Sequence, residues 1–308
     1  MFRSVRFYRL NSPWPDSEQS LSEGLASAAF APCGPYAERS SGWEPPSGDS
    51  DGLLTRRVEG ADLLRLRTQT RLLPTAAINE ALEERLEAYR ERMRGEPGRR
   101  EKRKLKEQTR DELLPKALLK SERTGGFVIA AQRLIAISTL SATRAERFLE
   151  HLRASLPGFD VTPLAFKRPV GDLLTRIFLN DAAPGFALGG ECRMCDPSDS
   201  KATVHCADMD LTDAAVRKHV TDGMHLTHLG IEFNNLLACT IDRNGGIAKL
   251  KLVGMEADDQ QAGEDPLVRL DADFALLTGA LRQLMATMKQ ALGGYEEQAP
   301  AWPAAVAA

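Results

Sequence analysis

The 308-residue chain has no run of 18 continuous apolar residues, so nothing in it reads as a membrane span. It contains no G-x-x-x-x-G-K-[ST], no G-x-G-x-x-G and no G-x-S-x-G, which removes the common phosphate cradles and the strand-to-helix nucleophile turn. "FALGGE" (Phe186–Glu191) has two glycines, but no Lys-Ser or Lys-Thr follows them, so it is a poor cradle. Cysteine is sparse. Five thiols, an odd number scattered along the chain, fit a reducing cytoplasm better than a disulfide framework. Met1 to Arg6 lacks the apolar core of a signal peptide, in keeping with a cytoplasmic protein. An excess of positive charge is also missing. The net charge is −3 and the isoelectric point is near 6.0, which excludes a globally basic nucleic-acid binder but leaves room for a local basic patch.

What is present is an ordinary globular balance, 43% hydrophobic and 27% charged, on a chain long enough for a sizeable core. "FRSVRFYRL" (Phe2–Leu10) alternates with period two and reads as a strand. Asp16 to Phe30 reads as a helix with Leu21, Leu25 and Ala28 on one stripe. The stretch "SSGWEPPSGDSDG" (Ser40–Gly52) has a linker's composition. Trp43 argues for a fixed loop instead, because an indole usually buries most of its ring. Leu53–Val58 and Leu63–Thr68, hinged at Glu59-Gly60, read as a hairpin. Pro74 opens a helical pattern through Ile78, Leu82, Leu86, Tyr89 and Met93. "GEPG" (Gly95–Gly98) breaks it, and a second helix is expected from about Arg99 to Leu119, kinked or cut short by Pro115. Two short strands are expected within Phe127–Thr139, then helices capped at Ser141 and over Val170–Leu179. Loop-like sequence is expected up to Cys206, with a short helix over Leu211–Val220. Leu226–Phe233, Leu236–Ile241 and Ile247–Val253 form a meander whose last turn is "RNGG". A long helix over Pro266–Gly293 buries Phe274, Leu277, Leu281, Leu284 and Met288, and the tail beyond it is expected to fray. Intermixed strands and helices with antiparallel pairings make an α+β fold.

The charge is polarised along the chain. Between Arg85 and Arg110 eleven basic residues face five acidic ones, while between Met255 and Asp273 seven acidic residues face one basic. The basic run is either a solvated helix face laced with ion pairs or a finger that touches phosphate backbones. The second reading makes Arg94, Arg99, Arg100, Lys102, Arg103, Lys104, Lys106 and, just beyond, Lys116 candidate DNA contacts that read no bases. "CRMC" (Cys192–Cys195) and "HC" (His205-Cys206) approach zinc spacing, with His219 as another possible ligand, but no second C-x-x-C closes the set. His225 and His228 are expected on opposite faces of a strand, which weakens a joint metal site. Asp208 with Asp210, or Asp271 with Asp273, could hold a metal for nuclease work. Capping and helix-dipole complementarity explain the second pair more simply. No metal, cofactor or catalytic residue is assigned.

"FYRL", "AFAPCG" (Ala29–Gly34), "GWEPPSG" (Gly42–Gly48), "LLPTAAINEALEERL" (Leu72–Leu86), "ELLPKAL" (Glu112–Leu118) and "LDADFALLTG" (Leu270–Gly279), in this order, resemble the RdgC family of recombination-associated proteins. The resemblance spans about Phe2 to Gly293. It implies a cytoplasmic, nucleoid-associated DNA-binding protein that is not an enzyme. It further implies an elongated curved subunit, a ring-shaped homodimer around duplex DNA, binding to double and single strands with little sequence preference, and restraint of RecA-dependent recombination. Residues 74–123 would be the family's protruding helical hairpin, between an N-terminal part (1–73), a middle segment (124–180) and a C-terminal part (181–308). Leu118 and Leu119 are the candidate dimer contacts, and "GWEPPSG" reads as an architectural loop anchored by Trp43. The chain departs from the family where Ala207, Asp208 and Met224 replace expected basic residues, and Leu118 replaces an aromatic one. Arg217, Lys218, Lys249, Lys251 and, when protonated, His225 and His228 are the candidates to compensate. The alternative is a member of the same fold with weakened DNA binding that holds a protein partner.

Overall fold

The computed structural model describes residues 2–49, 52–180, 184–199, 201–254 and 265–296. The elements are, in order, β1 (Arg6–Leu10), α1 (Glu18–Ala26), β2 (Arg39–Trp43), β3 (Thr55–Val58), β4 (Ala61–Leu72), α2 (Thr75–Met93) and α3 (Arg99–Leu113). There follow β5 (Leu118–Ile129), β6 (Leu134–Ile137), α4 (Ala142–Ser155), β7 (Val161–Pro163), α5 (Val170–Phe178), β8 (Phe186–Cys195) and β9 (Thr203–Cys206). The chain closes with α6 (Ala214–Thr221), β10 (His225–Phe233), β11 (Leu237–Asp242), β12 (Ile247–Leu252) and α7 (Pro266–Ala291). The fold is α+β, and its strand ladders are antiparallel.

Seven strands form one sheet in the order β2-β4-β5-β6-β1-β7, with β3 also on β4. Its central strands are unbroken apolar runs, "FVI" in β5 and "LIAI" in β6, because both faces of the sheet are covered. On one face α1 and α4 bring Leu21, Leu25, Phe148, Leu149 and Leu152 against Leu64, Leu66, Val128, Ile135 and Ile137. On the other, Phe7, Leu63, Phe127 and Ala136 join a larger core with α5, α7 and the five-stranded sheet β12-β11-β10-β8-β9. Phe127 stands edge-on to Phe2, Phe7 and Phe274, so α7 is locked to the centre of the large sheet. Each α7 residue expected in the buried stripe is buried.

The turns follow their residue chemistry. Glu59 and Gly60 both take positive φ, 48° and 71°, giving the tight connection between β3 and β4. In "RNGG" only Gly245 does so, at 80°, while the Asp242 carboxylate accepts from the backbone N–H of Asn244 and Gly246.

Several expectations are corrected. α1 is shorter, capped by Ser17 and ended before Ala28. α3 is cut short at Pro115, one of the two outcomes expected: it stops at Leu113 and a 3-10 turn holding Pro115 follows, but Leu118 already lies in a strand rather than in the helix. The segment expected as loop up to Cys206 forms β8 and β9. α6 starts after an Asp213 cap rather than at Leu211. The stretch Ser40–Gly52 is strand at its start, with Trp43 closing β2. Trp43 is buried, donates its indole N–H to Ser155 Oγ at 2.9 Å and stands edge-on to Phe148 at 5.1 Å. Gly42 is required by contact: a Cβ there would sit 2.5 Å from Phe30 Cα. Much of the acidic run expected between Met255 and Asp273, together with the expected frayed tail, lies outside the described residues.

Candidate nucleic-acid interface

The chain leaves the large sheet at Leu72, runs through α2 and α3, and returns at Leu118, which pairs directly with Leu72. α2 buries Ile78, Leu82 and Leu86, and α3 buries Thr109, whose hydroxyl donates to the Leu105 carbonyl. Tyr89 donates to the Glu101 carboxylate between the two helices, which raises the phenol's pKa. With so narrow an inner stripe, the helical period turns Arg100, Arg103 and Glu107 directly away from α2. Arg94 ends α2 in the left-handed region, at φ 50°. Arg94, Arg99, Arg100, Lys102, Arg103, Lys104, Lys106 and Lys116 are all exposed. Arg103 pairs with Glu107 at 3.4 Å; the other seven take no carboxylate partner among the described residues.

The base of these helices meets the sheet in a cleft of about 580 Å³, lined by Arg39 of β2, Arg71 of β4, and Lys106 and Arg110 of α3. Glu38 pairs with Arg110. Arg71 donates to the carbonyls of Leu114, Pro115 and Ala117 and to that of Gly34, tying the return turn to the loop before β2. Arg39 and Lys106 have no carboxylate partner among the described residues and both are exposed. Residues far apart in sequence thus place a net positive charge in one concave site.

β4 carries a second basic row, on the face of the sheet opposite to Arg39, which pairs with Thr70; of this row only Arg71 lines the cleft. Arg65, Arg67, Gln69 and Arg71 alternate along one face of the strand, and Arg123 stands opposite Arg67 on β5. The carboxylate of Glu44 serves three of these arginines, at 2.6 Å from Arg123, 3.7 Å from Arg67 and 4.0 Å from Arg65. Burial pushes the Arg65 guanidinium below its ordinary pKa, with Glu44 acting in the opposite direction. The Arg67 guanidinium lies 4.4 Å from the centre of the Phe30 ring. This row was missed because arginines alternating with leucines announce a strand but not where its charged face lies. The signal available was "LRLRTQTR" itself.

The remaining candidates sit elsewhere. Arg217 and Lys218 lie on α6, His225 and His228 on β10, and Lys249 and Lys251 on β12. Among the described residues no hydrogen bond or ion pair joins them to α3 or the β4 row. Lys249 takes positive φ and pairs with Glu191, which also accepts from Thr240. A bulge between Leu226 and His228 corrects the expected facing. His225 opposes Cys195 and His228 opposes Arg193, so both histidines share the outer face of the sheet. Burial lowers the pKa of His228 and so favours its neutral form, which weakens it as a phosphate contact. Leu118 and Leu119 are exposed beside Leu72 where the helical excursion joins the sheet.

The cysteines divide by strand alternation. Cys192 opposes Cys206 and both point into the core, whereas Cys195 and His205 point outward. Burial and the neighbouring Cys206 push the Cys192 thiol up to about 12. Among the described residues no three His, Cys, Asp or Glu side chains are grouped as a metal would need. Asp271 is engaged by Arg56 at 3.0 and 2.5 Å, which fastens α7 to β3, and Asp210 caps the turn at Thr212. No described helix is long and apolar enough to cross a membrane.

A family model described as "Putative exonuclease, RdgC" matches residues 1–295. Three proteins named "Recombination-associated protein RdgC", from Shewanella oneidensis, Shewanella loihica and Shewanella baltica, are each 29% identical over 299 residues. The alignments cover 96% of this chain and 98%, 99% and 98% of those proteins.

Proposed function

The chain belongs to the RdgC family, and from that premise we propose that it is a non-enzymatic, sequence-independent DNA-binding protein that acts in recombination. In this reading it binds double and single strands as a ring-shaped homodimer in the nucleoid and restrains RecA-dependent strand exchange by occupying DNA. The supporting observation is the convergence of Arg39, Arg71, Lys106 and Arg110 in the cleft where α3 meets β2 and β4; the arginine row of β4 is a second basic surface, on the sheet face opposite to Arg39. Lys and Arg at such positions attract phosphate without reading bases. The exposed Leu72, Leu118 and Leu119 supply the apolar surface for self-association.

Fluorescence anisotropy on plain duplexes of unrelated sequence tests this. If about six to ten phosphates are neutralised, affinity falls roughly 10³–10⁵-fold between 50 and 200 mM salt. Arg39→Glu with Lys106→Glu weakens all sequences alike. A flat salt dependence, or losses confined to some sequences, refutes the reading. Weak binding of every duplex at low salt favours the protein-partner alternative, and strand shortening in the presence of Mg²⁺ would make the protein a nuclease.

A further inference from the structure

A second cationic site lies away from the cleft just described. It is a recess of about 360 Å³ lined by Arg9, Gln132, Arg133, Lys289 and Tyr295. Three separate elements build it: β1, the turn between β5 and β6, and the end of α7. The Arg133 turn is held in the left-handed region, φ 54°, and its guanidinium donates to the carbonyls of Leu10 at 3.0 Å and Asn11 at 2.7 Å. Arg9 donates to the Glu296 carbonyl at 2.9 Å, and Lys289 lies 5.1 Å from the centre of the Tyr295 ring. Tyr295 is fixed in turn by its bridge and ring contact with Phe166.

None of the three cations has a carboxylate within ion-pair distance among the described residues. Their partners are neutral carbonyls and a ring face, and each guanidinium keeps N–H donors unused. Gln132 adds a side-chain oxygen that is shielded from solvent and has no hydrogen-bond partner. Three like charges around one recess repel one another unless an anion joins them. A duplex is too wide to enter such a recess, whereas one phosphate with a small group attached fits.

We propose that Arg9, Arg133 and Lys289 form a binding site for a phosphate monoester, with Gln132 accepting a hydrogen bond from the group the phosphate carries. A monoester is favoured over an internal phosphodiester because its second negative charge answers the additional cations. The source is either a free mononucleotide or the phosphorylated end of a strand. The proposal stands independently of duplex binding, since its probes are small anions.

Isothermal titration of the full chain with inorganic phosphate, deoxyadenosine 5′-monophosphate and deoxyadenosine tests it. The monophosphate is expected to bind roughly tenfold or more tightly than the nucleoside. Lys289→Gln, at an exposed position, should weaken it about tenfold, as loss of a charge-assisted contact does, with an unchanged melting temperature. Arg9→Gln is the second variant should the first fail to fold. Short oligonucleotides with a 5′-phosphate or a 5′-hydroxyl separate the sources: discrimination between them assigns the strand end, and its absence beside nucleotide binding assigns the free nucleotide. No binding of phosphate or nucleotide at about 10 mM overturns the site. Binding that survives both Lys289→Gln and Arg9→Gln overturns it equally.

Discussion

Replacing Glu44 by glutamine should loosen the fold while tightening its hold on DNA. The carboxylate lies 2.6, 3.7 and 4.0 Å from the guanidinium groups of Arg123, Arg67 and Arg65, and its side chain is 14% exposed. Unit charges about 4 Å apart interact by roughly 1 kcal/mol in water and about 4 kcal/mol at an effective dielectric near 20. The arginines are partly exposed, so solvent screening keeps each pair towards the lower figure. Arg65 is the exception, since its charge is already disfavoured by burial. Directly opposed arginines at positions 67 and 123 would also repel without the shared anion. Together these give a loss of about 1–3 kcal/mol. For a chain of this size that is a melting temperature lower by several degrees, at roughly 2–4 °C per kcal/mol. The same change adds one positive charge to the β4 row. Duplex affinity should therefore rise, and the slope of log K against log salt should steepen by up to about 0.9. Thermal melts and anisotropy titrations across salt measure both. Unchanged stability would refute the role of Glu44 as a shared counter-charge. Stability and affinity falling together would refute the electrostatic account of the row.

Three further outcomes are expected. Trp43→Phe removes the indole donor to Ser155 and part of the packing on Phe148, and should cost about 1–3 kcal/mol in denaturant titration. Gly42→Ala forces a Cβ against the Phe30 backbone and should cost about 1–3 kcal/mol through a displaced β2, seen as lost amide protection along that strand. His228 favours its neutral form when folded. Its contribution is therefore complete above the unfolded pKa near 6.5 and declines as pH falls from there through the depressed folded value. Stability of the wild type relative to His228→Gln should fall over that interval, and an NMR titration should place the His228 midpoint below 6.5.

Sequence reasoning reached those parts of the fold whose signal is local. The stripe of α7, the Glu59-Gly60 turn and the aspartate-supported turn before β12 each declare themselves within a few residues. The first half of β5 did not. "LLKSERTGG" holds five consecutive polar residues, Lys120 to Thr124, with no alternation to announce a strand, and it follows a helix that only Pro115 could end, so propensity favoured more helix. It is strand because β4 supplies an unbroken partner from Asp62 to Leu72. β8 and β9 looked like loop because Gly189, Gly190 and the cysteines carry weak strand preference. Close approach explains the first of these: a Cβ on Gly189 would meet the Gly230 carbonyl carbon at 2.8 Å. The histidines of β10 were misread because a bulge changes which residues share a face and leaves no mark in composition. Of the candidate interface, the basic run of α3 was legible as charge, but its meeting with Arg39 and Arg71 depends on strand pairing between distant segments. That is why the cleft itself could not be read.

Because Leu72 and Leu118 are direct cross-strand neighbours, residues 73–117 begin and end at almost the same point in space. Such ends lie about 5 Å apart, the span closed by an ordinary two-residue turn. The helices between them are, in topological terms, a detachable cassette: the sheet closes beneath them whatever they contain. Their length and outline can change without altering the two strands from which they spring.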